Sequence, residues 1–322
     1  MDKSVLIEKI VRRHDLGTLK DAPVEVSGGF LHEVYRVETD KAVYALKLLN
    51  PAIMQKPDAE ANFASAEQIE ARLEKEGFPV VAALVLDGKK RNEIEGRQYY
   101  VFPWRTGKAL AWNAITPEHC RKIGALLGRL HSIEPETAAP FEKPAKYDWT
   151  RFSGAIPEIG ESAELLKTAE AEYRAALEHL PAVKCVSHCD MDPKNVLWQD
   201  GEPEIIDLEC LGCFDPYADA FGLALQWSGT VTCDLSGVKL TAFLRAYQTQ
   251  RQIRFDWAGL YGLGFNWLDW LEFNARRAAG MTGEDGVMRE MGREQVSMTL
   301  KIIAAYAERK DEILSVLKQI GR

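Results

Sequence analysis

The chain has 322 residues, 46% of them hydrophobic and 27% charged, and a formal net charge of −8. That length can bury a sizeable core and exceeds most single compact units, so two lobes are expected. The acidic balance, without any block of five or more like charges, argues against nucleic-acid partners and is compatible with a cationic substrate. No run of about 18 uninterrupted apolar residues occurs, and the N-terminus lacks a cleavage-signal pattern, so no membrane partner and a cytoplasmic location are expected.

The opening MDKSVLIEKIVRRHDLG has the spacing of an amphipathic helix. Residues 24–37 read as strand, glycine turn, strand. In that turn Gly28 and Gly29 let backbone N–H groups approach phosphate oxygens without Cβ interference, and Ser27 adds a hydroxyl donor; a purely structural hairpin is the plainer alternative. Lys47 lies in the apolar, strand-like run 43–49, where an ammonium is costly without anionic partners. From about 58 to 76, Phe63, Ala66, Ile69 and Leu73 recur at helical spacing, stopped by Gly77 and Pro79. Residues 80–86 and 99–102 read as strands flanking a polar turn at 87–96, the second ending at Pro103 and Trp104. Helices are expected at about 117–131 and 161–180, with His131 packing or capping the end of the first.

The run HCDMDPKN, from His188 to Asn195, is followed twelve residues later by the Asp207 of IIDLE. Residues 196–198 and 204–207 read as two short strands around the turn 199–203, a hairpin that would carry Asn195 and Asp207 to a common metal. A metal bridging nucleotide phosphates needs hard oxygen ligands, and phosphoryl transfer needs a nucleophile held in line rather than a powerful base. Asn195 and Asp207 meet the first need, and Asp190 can orient a hydroxyl for the second. Asp215-Pro216 then opens a buried helix. Further helices are expected at about 235–250, 257–279 and 286–320.

Within the second of these, Trp267, Trp270 and Asn274 share a face by spacing. Trp270 could hold an amine by cation–π contact, with Asp269 or Glu272 supplying charge; a core stripe with a polar edge is the alternative. The six cysteines, at 120, 185, 189, 210, 213 and 233, complete no zinc pattern and are read as buried reduced thiols.

The spacing His-x-Asp-x-x-x-x-Asn resembles the catalytic loop of protein kinases and, more closely, that of the aminoglycoside phosphotransferase and choline kinase superfamily. His188, Asp190 and Asn195 match it. Only eight residues lead from Asp207 to Asp215, too few for a protein-kinase activation loop, and DPYAD resembles the D-P-x-x-D element of aminoglycoside kinases. The resemblance implies an α+β, bilobal protein-kinase-like fold: a β-rich nucleotide-binding lobe at 1–103 and a mainly helical catalytic and substrate-binding lobe at 104–322. It implies ATP or GTP with Mg2+, and a small-molecule hydroxyl acceptor. Aminoglycosides lead as the acceptor, with choline, ethanolamine, homoserine and methylthioribose sharing the same centre.

It further implies that Lys47 pairs with the α/β-phosphates and with a glutamate of the 58–76 helix. Glu67 is nearest the family position, and Glu70 lies closer to the apolar stripe. Backbone near Val101 to Trp104 would meet adenine, Trp104 fitting core packing equally well. Asp215 and Asp219 would be structural, Asp219 bonding back to the catalytic loop. Asp192 stands where many protein kinases carry a phosphate-contacting lysine, with Lys194 the nearby cation. A catalytically silent nucleotide-binding sensor is the rival reading, and the intact Lys47, Asp190, Asn195 and Asp207 set argues against it.

Overall fold

A computed structural model describes residues 3–26, 32–135, 146–181, 183–251, 256–281 and 286–320. It divides into two units, Met1–Leu110 with His188–Gly212, and Ala111–Ser187 with Cys213–Arg322. The first unit runs past the expected boundary at 103 and takes back residues 188–212. The reason is a docked hairpin: Val196–Gln199 pairs with Glu202–Ile205, Val81 N–H donates to the Ile205 carbonyl at 2.8 Å, and Ile205 N–H to that of Pro79 at 2.7 Å.

The first unit is built on a five-stranded antiparallel sheet in the order Val24–Glu25, Glu33–Glu38, Val43–Leu48, Arg97–Pro103, Asn92–Ile94. Strand alternation sorts its two faces. Tyr35, Val37, Leu46, Leu48, Tyr99 and Val101 meet Leu6, Ile7, Ile10 and Val11 of the helix Lys3–Arg13. An eleven-residue helix is marginal alone; burying four aliphatic side chains, at about 1.5–3 kcal/mol each, is what holds it. Tyr100 turns to the opposite face, against Leu49, Phe63 and Ala83, and Lys47 is its direct cross-strand partner. Phe63 comes from the helix Ala59–Lys75, which runs as the spacing predicts and ends before Gly77 at φ +69°.

Two expectations here fail. Residues 80–86 form no strand: Val81, Ala83 and Leu84 send their N–H groups to Ile205, Glu70 and Val101 respectively, so no single ladder can form. The expected polar turn at 87–96 contains the strand Asn92–Ile94, which returns to Arg97 through Glu95 and Gly96, both at positive φ as a tight two-residue hairpin turn requires.

The second unit is mainly helical. Pro117–Leu130 starts at a Thr116 capping box with His119. It packs so closely on Gly237–Arg251 that a Cβ at Gly124 would come within 2.2 Å of the Phe243 carbonyl oxygen. Ala163–Glu178 and Pro216–Trp227 complete its centre. The helix expected at 257–279 begins only at Trp267, after a 3-10 stretch Tyr261–Asn266. There a Cβ on Gly262 would lie 2.1 Å from the Glu172 carbonyl oxygen, and this backbone approach replaces helical spacing. The expected 286–320 helix is two, Gly286–Glu308 and Lys310–Ile320.

Among the described residues no helix is long and apolar enough to cross a membrane. The cysteines correct the expectation of uniform burial. Cys120 and Cys185 are buried, whereas Cys189, Cys210 and Cys233 are exposed and Cys213 lies between.

Candidate active site

The residues of HCDMDPKN fold into a short loop ending in a 3-10 turn, Pro193–Asn195. His188 is buried, and its imidazole ties the loop's start to the later strand. Nδ1 accepts from Asp190 N–H at 3.3 Å, so Nε2 carries the proton and donates to the Ile206 carbonyl at 3.1 Å. Asn195 closes the other end. Its side-chain N–H group donates to the Asp190 carbonyl at 2.8 Å and to the Asp190 carboxylate at 2.9 Å, and its own carbonyl accepts from Ile206 N–H at 2.9 Å. Asp190 is thereby fixed while remaining half-buried. Lys194 Nζ lies 3.3 Å from the same carboxylate and 3.7 Å from Asp192. Burial opposes the Lys194 charge, but Asp190 and Asp192 outweigh it and raise its pKa. Burial, and then the charge of Asp190, push Asp192 up to about 6.

Asp207 directly follows Ile206 and adopts φ +65°; Cys189, at φ +61°, does the same inside the loop. Such left-handed conformations in side-chain-bearing residues cost of order 1–3 kcal/mol and persist where the surroundings impose them. Asp207 Oδ1 lies 2.5 Å from Lys47 Nζ, and Lys47 also contacts Glu209 Oε2. Burial works against an ammonium here, yet Asp207 and Glu209 hold the Lys47 pKa above its ordinary value. Glu209, for its part, is held below the usual carboxylate range against its own burial by His32 and Lys47.

The Asn195 amide nitrogen is committed to Asp190, and its oxygen makes no hydrogen bond among the described residues. That oxygen and the second Asp207 oxygen are hard donors of the type a Mg2+ or Ca2+ ion takes. Among the described residues no group of three or more His, Cys, Asp or Glu is arranged to hold a metal.

Two nucleotide-side expectations need correction. Neither helix glutamate reaches Lys47. Glu67 accepts from the Tyr100 hydroxyl at 2.6 Å and from Arg91 at 3.1 Å, and Glu70 accepts from Lys90 at 2.7 Å and Ala83 N–H at 2.8 Å. The cations of the 86–97 hairpin take both glutamates, and Glu209 takes their place at Lys47. Next, Trp104 N–H donates to the Val43 carbonyl at 3.1 Å and is committed there, while the Val101 carbonyl already accepts from Leu84 N–H at 2.8 Å. The Trp104 ring lies beneath the Arg36 guanidinium, 5.7 Å from its centroid. Ser27, Gly28 and Gly29 lie outside the described residues.

In the second unit, Asp215 caps the helix Pro216–Trp227, accepting from Tyr217 and Ala218 N–H at 2.9 and 3.0 Å. Burial raises its pKa, and those two bonds temper the rise. Asp219 accepts from the hydroxyl of Ser187, the residue before the loop, and pairs with His131 Nε2 at 2.9 Å; His131 Nδ1 meets the Tyr247 hydroxyl at 2.9 Å. The expected face of Trp267, Trp270 and Asn274 is split: Asn274 is fully buried and donates to the Trp270 carbonyl, while Trp270 is 41% exposed and stacks on Phe273. Asp269 accepts from the Tyr147 and Tyr173 hydroxyls at 2.6 and 3.2 Å. Glu272 is occupied by Arg276, one turn on.

Sequence reasoning missed Glu209 and His32. The signal for Glu209 was its place two residues after Asp207 in the DLE triplet; nothing local marked His32.

The fold and this loop define a kinase-like phosphotransferase. Residues 24–263 match the phosphotransferase enzyme family (APH), and the chain belongs to it. A homoserine kinase of Methylobacillus flagellatus is 24% identical over 264 residues, covering 79% of each chain. Among solved structures, an amicoumacin kinase in complex with AMP-PNP, Ca2+ and Ami superposes with a TM-score of 0.66 at 15% identity, covering 93% of each chain. A microcompartment-associated aminopropanol kinase gives 0.66 at 15% identity, covering 95% of this chain and 98% of its own. The chain is therefore a small-molecule kinase with a hydroxyl acceptor.

Proposed function

We propose that this kinase moves the γ-phosphoryl group of ATP, or of GTP, to a hydroxyl of a small amine-bearing metabolite, with Mg2+ as the divalent ion. The observation that carries this reading is the Asp190 carboxylate held by the Asn195 amide, beside the Lys47–Asp207 pair. The solved amicoumacin kinase complex with AMP-PNP and Ca2+ supports nucleotide and divalent-metal use.

In this reading Asp190 orients the acceptor hydroxyl and takes its proton as transfer proceeds. The reaction needs alignment of the nucleophile more than a strong base. Lys47 binds the α/β-phosphates. Asn195 and Asp207 would hold the metal, which neutralises charge on the phosphates when bound. His188 braces the Asp190 loop, while Asp215 caps its helix and Asp219 holds Ser187 and His131.

The acceptor is an amino alcohol or amino-acid alcohol. The homoserine kinase relative supports that class, as does Asp269, a carboxylate in aromatic surroundings beside the exposed Trp270.

The test is a panel of homoserine, ethanolamine, choline, aminopropanol, methylthioribose and aminoglycosides with ATP or GTP and Mg2+, read by mass. One compound should gain about 80 mass units, for one phosphoryl group, only when Asp190 is intact. No Asp190-dependent product across the panel would overturn the acceptor class.

A further inference from the structure

Lys47 faces two carboxylates, and in the reading above one of them, Asp207, has a second task as a metal donor. A lysine that binds phosphate still needs a counter-ion that stays with it. The helix Ala59–Lys75 supplies none, because Glu67 and Glu70 are held by Tyr100, Arg91 and Lys90. Glu209 remains, with a side chain 15% exposed.

What fixes Glu209 is His32. This residue directly precedes the strand Glu33–Glu38, and its ring is 4% exposed and set edge-on against Phe63. Its Nδ1 accepts from Asn50 N–H at 2.9 Å, which assigns the ring proton to Nε2, 3.1 Å from Glu209 Oε1. The imidazole is thus a rigid spacer with one end on the backbone after the Lys47 strand and the other on the DLE segment. Glu209 uses its other oxygen for Lys47.

We propose that His32 is a positioning residue that holds Glu209 as the standing counter-ion of Lys47, so that Lys47 stays aimed at nucleotide phosphate when Asp207 turns to the metal. This rests on the reading of Lys47 as the phosphate-binding lysine.

His32→Asn and His32→Gln separate the two ends of the spacer. Asparagine reaches as far as Nδ1 and keeps the Asn50 contact but not the one to Glu209; glutamine extends an N–H to the Nε2 position. ADP affinity of the full chain, measured by calorimetry with Mg2+, should fall about tenfold in H32N and in E209Q, and no further in the double variant. H32Q should stay within about threefold of wild type. The acceptor KM should not move.

Wild-type affinity in H32N, equal losses in H32N and H32Q, or multiplying losses in the double variant each overturn the proposal while leaving phosphotransfer intact. A wild-type protein that binds no ADP overturns the phosphate-binding reading as well. Should H32N not fold, the imidazole 15N spectrum of wild type and E209Q reads the same contact. The proton belongs on Nε2 with a signal that shifts in E209Q, and a proton on Nδ1 overturns the assignment.

Discussion

Asn195 donates its side-chain amide to both the carbonyl and the carboxylate of Asp190, at 2.8 and 2.9 Å. In the proposed reading, one residue therefore aims the proton-accepting group and presents an oxygen for a cation. Asp190→Asn keeps the loop's shape and removes the acceptor charge, so kcat should fall about 10²–10⁴-fold with nucleotide affinity little changed. Asn195→Ala removes the brace and the donor, so kcat should fall and half-saturation should need more Mg2+. Steady-state kinetics across a Mg2+ titration check both.

Lys90 and Glu70 form an ion pair with side chains 9% and 7% exposed. Truncating one member of such a pair strands the other charge in a low-dielectric site. Lys90→Met should lower stability by about 3–5 kcal/mol, and Glu70→Gln added to it should restore much of the loss, since an amide needs no counter-ion and still accepts from Ala83. Urea unfolding of the two variants measures this.

The same carboxyl gives a pH signature. Burial first raises the Glu70 pKa above its ordinary 4.5, with Lys90 and Ala83 N–H opposing the rise. Between 4.5 and the raised value the folded chain therefore binds more protons than the unfolded chain. Stability from this group declines as pH rises through that window, and below 4.5 the two states bind alike. As pH rises through that window, the urea midpoint of wild type should fall relative to that of Glu70→Gln. A constant difference between the two would remove Glu70 as the source.

The catalytic loop was legible because its chemistry is packed into twenty consecutive residues, His188 to Asp207, that one hairpin brings together. The sheet strand carrying Lys47 was legible from its apolar run. The partner of Lys47 was not, since the choice among Glu67, Glu70 and Glu209 depends on where Lys90 and Arg91 fall, and these lie 20 and 24 residues beyond the glutamates they take. Local patterning likewise predicts a strand at 80–86, but its N–H groups are claimed by three different elements. The helix expected from 257 gives way to a 3-10 stretch because Gly262 lies against another helix's carbonyl, a contact that periodicity does not encode.

In the proposed reading, Asp269 and the two tyrosines that donate to it bear on acceptor choice. Its carboxylate oxygens each retain accepting capacity beside the Tyr147 and Tyr173 hydroxyls. If that carboxylate meets the acceptor's ammonium, Asp269→Asn should raise the acceptor KM by about tenfold, the scale of one charge-assisted contact, and leave the nucleotide KM in place. Burial first raises the Asp269 pKa above its ordinary 3.8, Glu272 adding to the rise and the two hydroxyls opposing it. Protonation therefore discharges it at a higher pH than it would a free aspartate. The wild-type acceptor KM should climb as pH falls through that raised value, while that of Asp269→Asn stays flat. A parallel climb in both proteins would assign the titration to another group and leave Asp269 as a packing partner of Tyr147.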